Sequence, residues 1–356
     1  MKTIFRNKKI SGLLSIIPET SISFEDEINN YAFPTKQTLR LQKVMGFKKH
    51  SIVKESTATS DLCIFGLKHI LNGLLKKEEI GAIVVACSYP DHFIPPVSSI
   101  IHGKLGLSED VYCADINQGC VGFLMALTHG FMLLEHIKNK KVVAIAADVL
   151  SKKVSKKDRN SYPLIGDAAG IVVLENCAEH NDIYTIVRNN GSLGDALTIP
   201  AGGSRMPNTE KTAELVDKDN DGNWRALDNL TMKGSDVFTF VQTKVPTLIE
   251  ECLSYANLKK EDITYYLFHQ PNRFMLKKLA EKIGIPYEKV PMNIVEEFGN
   301  SSGACIPVCA TYNISDILKG EKHKYCLSAF GSGLTWEAMI MDIGELDFCE
   351  MLISDC

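Results

Sequence analysis

Ala114-Asp115-Ile116-Asn117-Gln118-Gly119-Cys120-Val121-Gly122-Phe123 is the stretch on which the reading of the fold turns. The apolar run at 110–114 reads as a buried strand, and 117–119 as a turn. A helical pattern follows over 120–136, with Phe123, Leu124, Leu127, Phe131 and Leu134 at helical spacing. Cys120 is thereby placed at or just inside a helix N-terminus. The free N–H groups there favour a thiolate, the form a nucleophilic cysteine needs. Gly119 and Gly122 would let a substrate approach the backbone closely. The plain alternative is an inert core cysteine beside an apolar helix.

Outward from this stretch, near-continuous apolar runs at 80–87, 141–147 and 166–175 alternate with helical patterns at 60–75 and 95–105. Such runs suit strands buried on both faces, and the alternation argues for a layered α/β fold. The second half repeats the first. Residues 82–87 are echoed by 264–269, each followed by a Pro-containing turn and a helix. Those helices end in Lys104-Leu105-Gly106-Leu107 and Lys282-Ile283-Gly284-Ile285. A short strand is expected next in both halves. Then Asn117-Gln118-Gly119-Cys120 matches Asn300-Ser301-Ser302-Gly303, and the strand 141–147 matches 325–329. The pattern is an internal duplication, with halves at 1–176 and 177–356. It would bring two small-residue helix starts together, Cys120 on one of them. Between the halves, 191–233 is rich in Gly, Pro, Asn and Asp and reads as an excursion of surface loops. Within it, Asp217 to Asp228 has the spacing of a calcium loop, with a solvated acidic turn as the plainer reading.

The 356 residues are 45% hydrophobic and 23% charged, with a net charge of -4, so nucleic acid is not an expected partner. No stretch is apolar enough for a membrane span. The 11 cysteines form no CxxC pair and no signal peptide precedes them, which leads us to expect reduced thiols in a cytoplasmic protein. Cys305 and Cys309, one helical turn apart, have no neighbouring His and read as core packing, so no metal is expected.

The duplication makes Cys120, His269 at a strand end, and Asn300 at the second helix start candidates to meet. Each has a dull alternative, a core His or a helix cap. Together Asp115-Ile116-Asn117-x-x-Cys120-x-Gly122-Phe123, His269-Gln270-x-Asn272, Gly299-Asn300-x-Ser302 and Phe330-Gly331-x-Gly333-x-Thr335-Trp336 resemble the motifs of β-ketoacyl-acyl carrier protein synthase III, a thiolase-fold condensing enzyme. The resemblance covers the chain from about residue 80 onward. It implies a five-layer αβαβα fold and a decarboxylative Claisen condensation. Cys120 would take an acyl group from a coenzyme A thioester. His269 and Asn300 would bind the thioester carbonyl of malonyl-acyl carrier protein, and the N–H groups of Cys120 and Ser332 would form the oxyanion hole. No cofactor is implied, since coenzyme A and the carrier's phosphopantetheine arrive as substrate.

The resemblance also assigns Arg159 to the coenzyme A nucleotide, Asn272 and Gly234 to the pantetheine tunnel, and Phe238 to its mouth. Arg40 stands where the family carries an adenine-stacking Trp. Arg273, Lys277 and Lys278 are expected to dock acyl carrier protein, though Phe274 replaces a basic residue of the family beside them. A homodimer is implied, pairing through 141–148, with Phe93-Ile94-Pro95 closing the mate's acyl pocket. The rivals are a thiolase-fold acyltransferase or specialised condensing enzyme of secondary metabolism, a papain-like protease, and a non-catalytic partner of a condensing pair.

Overall fold

The computed structural model describes residues 1–354 apart from 218, 219 and 221. Its strands form two main sheets. In chain order these are β1 (Lys2–Arg6), β2 (Lys8–Ile17), β3 (Ile80–Cys87), β4 (Tyr112–Asn117), β5 (Lys141–Asp148), β6 (Ala168–Asn176), β7 (Asp182–Asn189), β8 (Tyr265–Phe268), β9 (His323–Gly331), β10 (Thr335–Ile343) and β11 (Phe348–Ile353). The first sheet runs β11-β2-β6-β5-β3-β4 and the second β1-β7-β10-β9-β8. The principal helices are α1 (Thr35–Met45), α2 (Thr59–Leu71), α3 (Val97–Leu105), α4 (Gly122–Leu134), α5 (Gly234–Ala256), α6 (Arg273–Ile283) and α7 (Cys305–Lys319).

The layers follow from the apolar faces. Leu62 and Leu67 of α2 and Ile101 of α3 cover the outer face of the first sheet through Ile83, Val85 and Val143. Phe123 and Leu127 of α4 and Ile306 and Ile314 of α7 fill the space between the sheets, against Val142 on one side and Leu327 and Met339 on the other. Val241 and Leu248 of α5 and Leu276 and Leu279 of α6 cover the second sheet. The result is αβαβα. β3 is apolar along its whole length because α2 and α3 cover one face and α4 the other. Gly106 and Gly284 end the equivalent helices α3 and α6 with φ of 59° and 76°, left-handed caps that glycine adopts without a Cβ clash. The repeated Lys-x-Gly signature therefore has a structural cause.

Four expectations need amendment. The chain ends cross over: β1 joins the second sheet through β7, and β11 joins the first through β2, so the halves exchange their terminal strands. The short strand expected before Asn300 is absent; a 3-10 turn (Tyr287–Lys289) and a four-residue helix (Ile294–Glu297) occupy that place, leaving the second sheet one strand narrower. The run at 110–114 is not a buried strand. The strand is β4, which pairs only with β3 and leaves Tyr112 half exposed. β5, by contrast, is flanked by β3 and β6 and has no edge to offer a second copy. The calcium-like spacing falls partly on residues outside those described. Asp217 accepts the Gly222 N–H at 3.0 Å and Asp228 pairs with Lys153 at 3.5 Å.

One buried carboxyl runs against the packing. Glu337 of β10 is fully buried and accepts a hydrogen bond from Thr128 of α4 at 2.6 Å. Burial pushes its carboxyl from 4.5 up to about 8. A raised acid favours the protonated fold, so its stabilising contribution is complete below pH 4.5 and is lost as pH rises through about 8. Glu337→Gln is therefore expected to match the wild type near pH 4.5 and to melt several degrees higher at pH 9, checked by calorimetry across pH.

Candidate active site

The Cys120 turn is built by close backbone approach. β4 ends at Asn117, Gly122 N–H donates to Gly119 at 2.6 Å, and α4 begins at Gly122. Cys120 thus stands two residues ahead of the helix, short of its first turn. The second helix start meets it: a side chain on Gly303 would lie 2.9 Å from the Gly119 carbonyl. The two small-residue turns of the duplication touch because neither has a Cβ at the contact. Gly331, at the end of β9, is tighter still. A Cβ there would fall 2.4 Å from Cys120 Cβ and 2.9 Å from its sulfur.

Asn300 is clamped by its backbone. Its N–H donates to Leu164 at 2.7 Å and its carbonyl accepts from Gly166 at 3.0 Å. Gly299, at φ 82°, and Gly166 press backbone to backbone beneath it. Its side-chain oxygen accepts the Ser302 N–H at 3.0 Å and the Cys305 thiol at 3.1 Å. With that oxygen engaged twice, the Nδ2 end of the amide is the one left to donate to a substrate. Cys305 accordingly has a polar task beyond filling the core.

His269 follows β8 and continues its ladder, donating N–H to Ser328 at 2.9 Å. Its ring meets Phe330 edge-on at 5.6 Å. Cys120, His269, Asn300 and Ser332 line one cavity of about 700 Å³. Ser332 Oγ donates to Gln118 Oε1 at 2.8 Å, tying the end of β9 to the Cys120 turn. Sequence reasoning did not single out Gln118.

The electrostatics depart from expectation. Burial pushes the Cys120 thiol from 9.0 up to about 12; the Ser302 hydroxyl and a backbone N–H pull the other way without prevailing. Cys120 therefore rests as the thiol, because burial prevails. Burial likewise pushes the His269 imidazole down to about 4, so it is neutral at pH 7.

This geometry has relatives. The family described as 3-oxoacyl-[acyl-carrier-protein] synthase III matches residues 114–191, and its C-terminal counterpart matches 253–343. A β-ketoacyl-[acyl-carrier-protein] synthase III of Clostridium perfringens is 35% identical over 80% of this chain and 85% of its own length. The chain belongs to the 3-oxoacyl-[acyl-carrier-protein] synthase III family. A second relative of that name, from Streptococcus sanguinis, is 32% identical over 84% of this chain and 88% of its own. The 3-oxoacyl-(acyl-carrier protein) synthase structure from Burkholderia xenovorans LB400 superposes with a TM-score of 0.92 at 28% identity, covering 99% of both chains. The chain is a thiolase-fold condensing enzyme, an acyltransferase. Its two-sheet fold removes the papain-like alternative.

Within this synthase III framework, the remaining candidates divide. Asn272, Gly234 and Phe238 line the cavity. Asn272 also caps α6, accepting the Met275 N–H at 2.8 Å, and Phe238 stacks on Phe274 at 5.8 Å. Arg40 points away: it is exposed on α1, whose cavity face is Leu41 and Met45. Arg159 lies outside the lining and stacks on Phe33, its guanidinium carbon 3.3 Å from the ring centroid. The aromatic partner of Arg159 is thus Phe33, seven residues before the position that motif alignment marks. Arg273 is held by Glu296 and the Lys43 carbonyl at 3.0 and 3.1 Å. Lys277 and Lys278 are exposed on α6, Lys278 paired with Glu281 at 2.7 Å. The excursion at 191–233 is more than surface loops. It contributes Leu197, Ile199, Arg225 and Leu230 to the cavity wall, pinned where Arg225 meets the buried Asp158 at 2.6 Å. Gly/Pro/Asn composition gave no sign of that packing.

Among the described residues, no helix is long and apolar enough to cross a membrane.

Proposed function

We propose that the chain condenses an acyl thioester with malonyl-acyl carrier protein, giving 3-oxoacyl-acyl carrier protein and carbon dioxide. Cys120 sulfur attacks the donor's carbonyl; the donor's C–S bond breaks, the donor thiol departs with the proton that Cys120 gives up, and acyl-Cys120 remains. The malonyl thioester then binds with its carbonyl oxygen at His269 and Asn300 Nδ2. Carbon dioxide leaves, and both donors hold the enolate. The enolate carbon attacks acyl-Cys120, with the developing oxyanion at the N–H groups of Cys120 and Ser332. Collapse breaks the acyl–sulfur bond, releases product and leaves the Cys120 thiolate, which takes a proton from solvent to restore the thiol. The observation carrying this reading is the meeting of an accessible thiol, a neutral imidazole and an oriented amide in one cavity. A neutral His269 keeps an N–H to donate without protonating the enolate outright.

The phosphopantetheine arm would enter beside Phe238 and Phe274, with the exposed Lys277 and Lys278 facing an acidic carrier. A homodimer would pair through the open edge of β4, and the exposed Phe93 and Ile94 would reach the mate. The working place of the protein would be the cytoplasm.

The test is intact-protein mass after incubation with short acyl-coenzyme A and acyl-carrier donors, then a chase with malonyl-acyl carrier protein. Acylation followed by discharge with release of carbon dioxide is the expected result. Discharge only by an added alcohol or amine would instead make this an acyltransferase of another kind. His269→Ala and Asn300→Ala are each expected to retain acyl-enzyme formation while malonyl decarboxylation falls about 10²–10³-fold, the usual cost of one oxyanion donor. Labelled carbon dioxide release, measured beside acylation, separates the two half-reactions.

A further inference from the structure

The two N–H groups read as the oxyanion hole come from different sheets. Cys120 follows β4 of the first sheet, and Ser332 follows β9 of the second. No ladder pairs β4 with β9, so the spacing of the two N–H groups is left to contacts between the turns that follow them. Gln118 makes such a contact. Its Oε1 accepts the Ser332 hydroxyl at 2.8 Å and the Gly119 N–H at 3.1 Å. Its Nε2 faces the Thr335 hydroxyl, at the start of β10, at 3.5 Å. Two donors on the one oxygen fix which way the amide lies. The side chain projects from a pinned backbone, because the Gln118 N–H donates to Ile116 at 2.8 Å and to Cys87 at 3.2 Å. The far side of the 331–335 loop is held separately. The Thr335 hydroxyl donates to Asn189 Oδ1 at 2.8 Å, and Asn190 and Leu334 exchange backbone bonds at 2.8 and 3.1 Å. Asn117, Gly119, Cys120 and Ser332 line the cavity, whereas Gln118 does not.

We propose that Gln118 is a positioning residue for acyl transfer, holding the Ser332 N–H at the spacing from the Cys120 N–H that a tetrahedral oxyanion needs. The proposal rests on the reading of those two N–H groups as the oxyanion hole. Gln118 touches no reacting atom. It acts through the Ser332 hydroxyl on one side and through Gly119, the residue before Cys120, on the other. Oxyanion donors work because they stand in place, about 2.7–3.1 Å from the oxygen, before its charge develops. A donor that drifts by about an ångström loses much of that effect. The bridge concerns the tetrahedral intermediates alone, which form when Cys120 is acylated and again when the enolate attacks acyl-Cys120. The enolate itself is held at His269 and Asn300. Their anchors lie elsewhere: the Asn300 backbone is clamped by Leu164 and Gly166, and the His269 N–H donates to Ser328. Loss of the Gln118 amide is thus expected to split the reaction, weakening acyl transfer and sparing malonyl decarboxylation.

Gln118→Ala and Gln118→Met test the bridge, the second keeping the bulk of the side chain without its amide. In single-turnover acylation by a short acyl-coenzyme A, read by intact mass, the limiting rate should fall about tenfold or more in both, short of the about 10²–10³-fold cost of removing an oxyanion donor outright. The donor concentration giving half the limiting rate should stay within about twofold, because a transition-state contact is lost and not a binding one. Labelled carbon dioxide release from malonyl-acyl carrier protein, with no acyl donor present, should hold at the wild-type rate. So should alkylation of Cys120 by iodoacetamide, a displacement at saturated carbon that forms no oxyanion. Ser332→Ala cuts the same bridge from its other end and keeps the N–H. It should slow acylation too, and the double variant Gln118→Ala with Ser332→Ala should be no slower than the slower single variant. Wild-type acylation in either Gln118 variant, additive losses in the double variant, or an equal fall in acylation, alkylation and decarboxylation would overturn the proposal. If the wild type takes no acyl group from any thioester, the condensation reading falls and the proposal with it. A wild type that acylates beside an unaffected Gln118→Ala overturns the proposal alone.

Discussion

Cys120→Ala is expected to gain no acyl mass from any thioester and to lose condensation by a factor on the order of 10⁶, as when other covalent catalysts lose their nucleophile. No neighbour can substitute. Cys305, the nearest other thiol, donates to Asn300 at 3.1 Å and is completely buried. Burial also pushes it up to about 11, so it presents no thiolate. The malonyl half-reaction should survive, because the backbone clamp on Asn300 and the ladder bond of His269 do not involve Cys120. The variant should therefore release carbon dioxide from malonyl-acyl carrier protein without forming a 3-oxo product. Intact mass and labelled carbon dioxide read the two events separately. An acylated Cys120→Ala enzyme would relocate the nucleophile.

Gly331→Ala is expected to lower acylation about 10²-fold or more, the usual penalty of displacing a reacting group by about an ångström. The reason is space and not backbone conformation. Gly331 has φ 174°, extended backbone that any residue adopts. Its missing Cβ is what admits the Cys120 side chain: a methyl would lie 2.4 Å from Cys120 Cβ and 2.9 Å from the sulfur. Either Cys120 swings out of the cavity or the end of β9 withdraws. The second movement carries Ser332 and its bond to Gln118 with it, and so disturbs the proposed oxyanion hole. Melting temperature should fall modestly, because the collision is local. Mass spectrometry of the acyl-enzyme, with alkylation of Cys120 as a second probe, tests the displacement. Full acylation in Gly331→Ala would mean that the turn yields freely. Gly299→Ala differs in cause. There φ is 82°, and a Cβ would also meet Gly166 N at 2.8 Å, so conformation and space oppose it together.

The duplicated fold and the site's chemical members were legible because both leave local signatures. Apolar runs such as Ile80–Cys87 report strands covered on two faces. Small residues at 117–122 and 299–303 report turns where backbones touch. The position of β4 was not legible. An edge strand with one partner differs from a buried one only in what lies beside it, and the apolar run at 110–114 ends just as it begins. The partner of Arg159 was missed for a similar reason. Phe33 reaches it across a loop whose path is set by packing, so motif alignment pointed to Arg40 instead. Arg225 lies in the segment whose composition reads as surface loops. Only its bond to buried Asp158 brings it to the cavity wall.

By itself, then, the sequence marked a thiol, an imidazole and an amide as candidates to meet, with Cys120 and Asn300 on the facing helix starts of a duplicated unit. Periodicity and residue type act over a few positions, and those positions are contiguous. Only the tertiary structure decided the protonation of the site. Burial of Cys120 outweighs a helix end it does not quite reach, and burial of His269 leaves the imidazole neutral. It also decided the exchange of β1 and β11 between the sheets, and the clamp of Leu164 and Gly166 on the Asn300 backbone. These depend on desolvation and on contacts between residues far apart in the chain, 336 positions in the pairing of Phe348 with Gly12. No local pattern encodes a dielectric environment or a long-range contact; both exist only once the chain has closed around them.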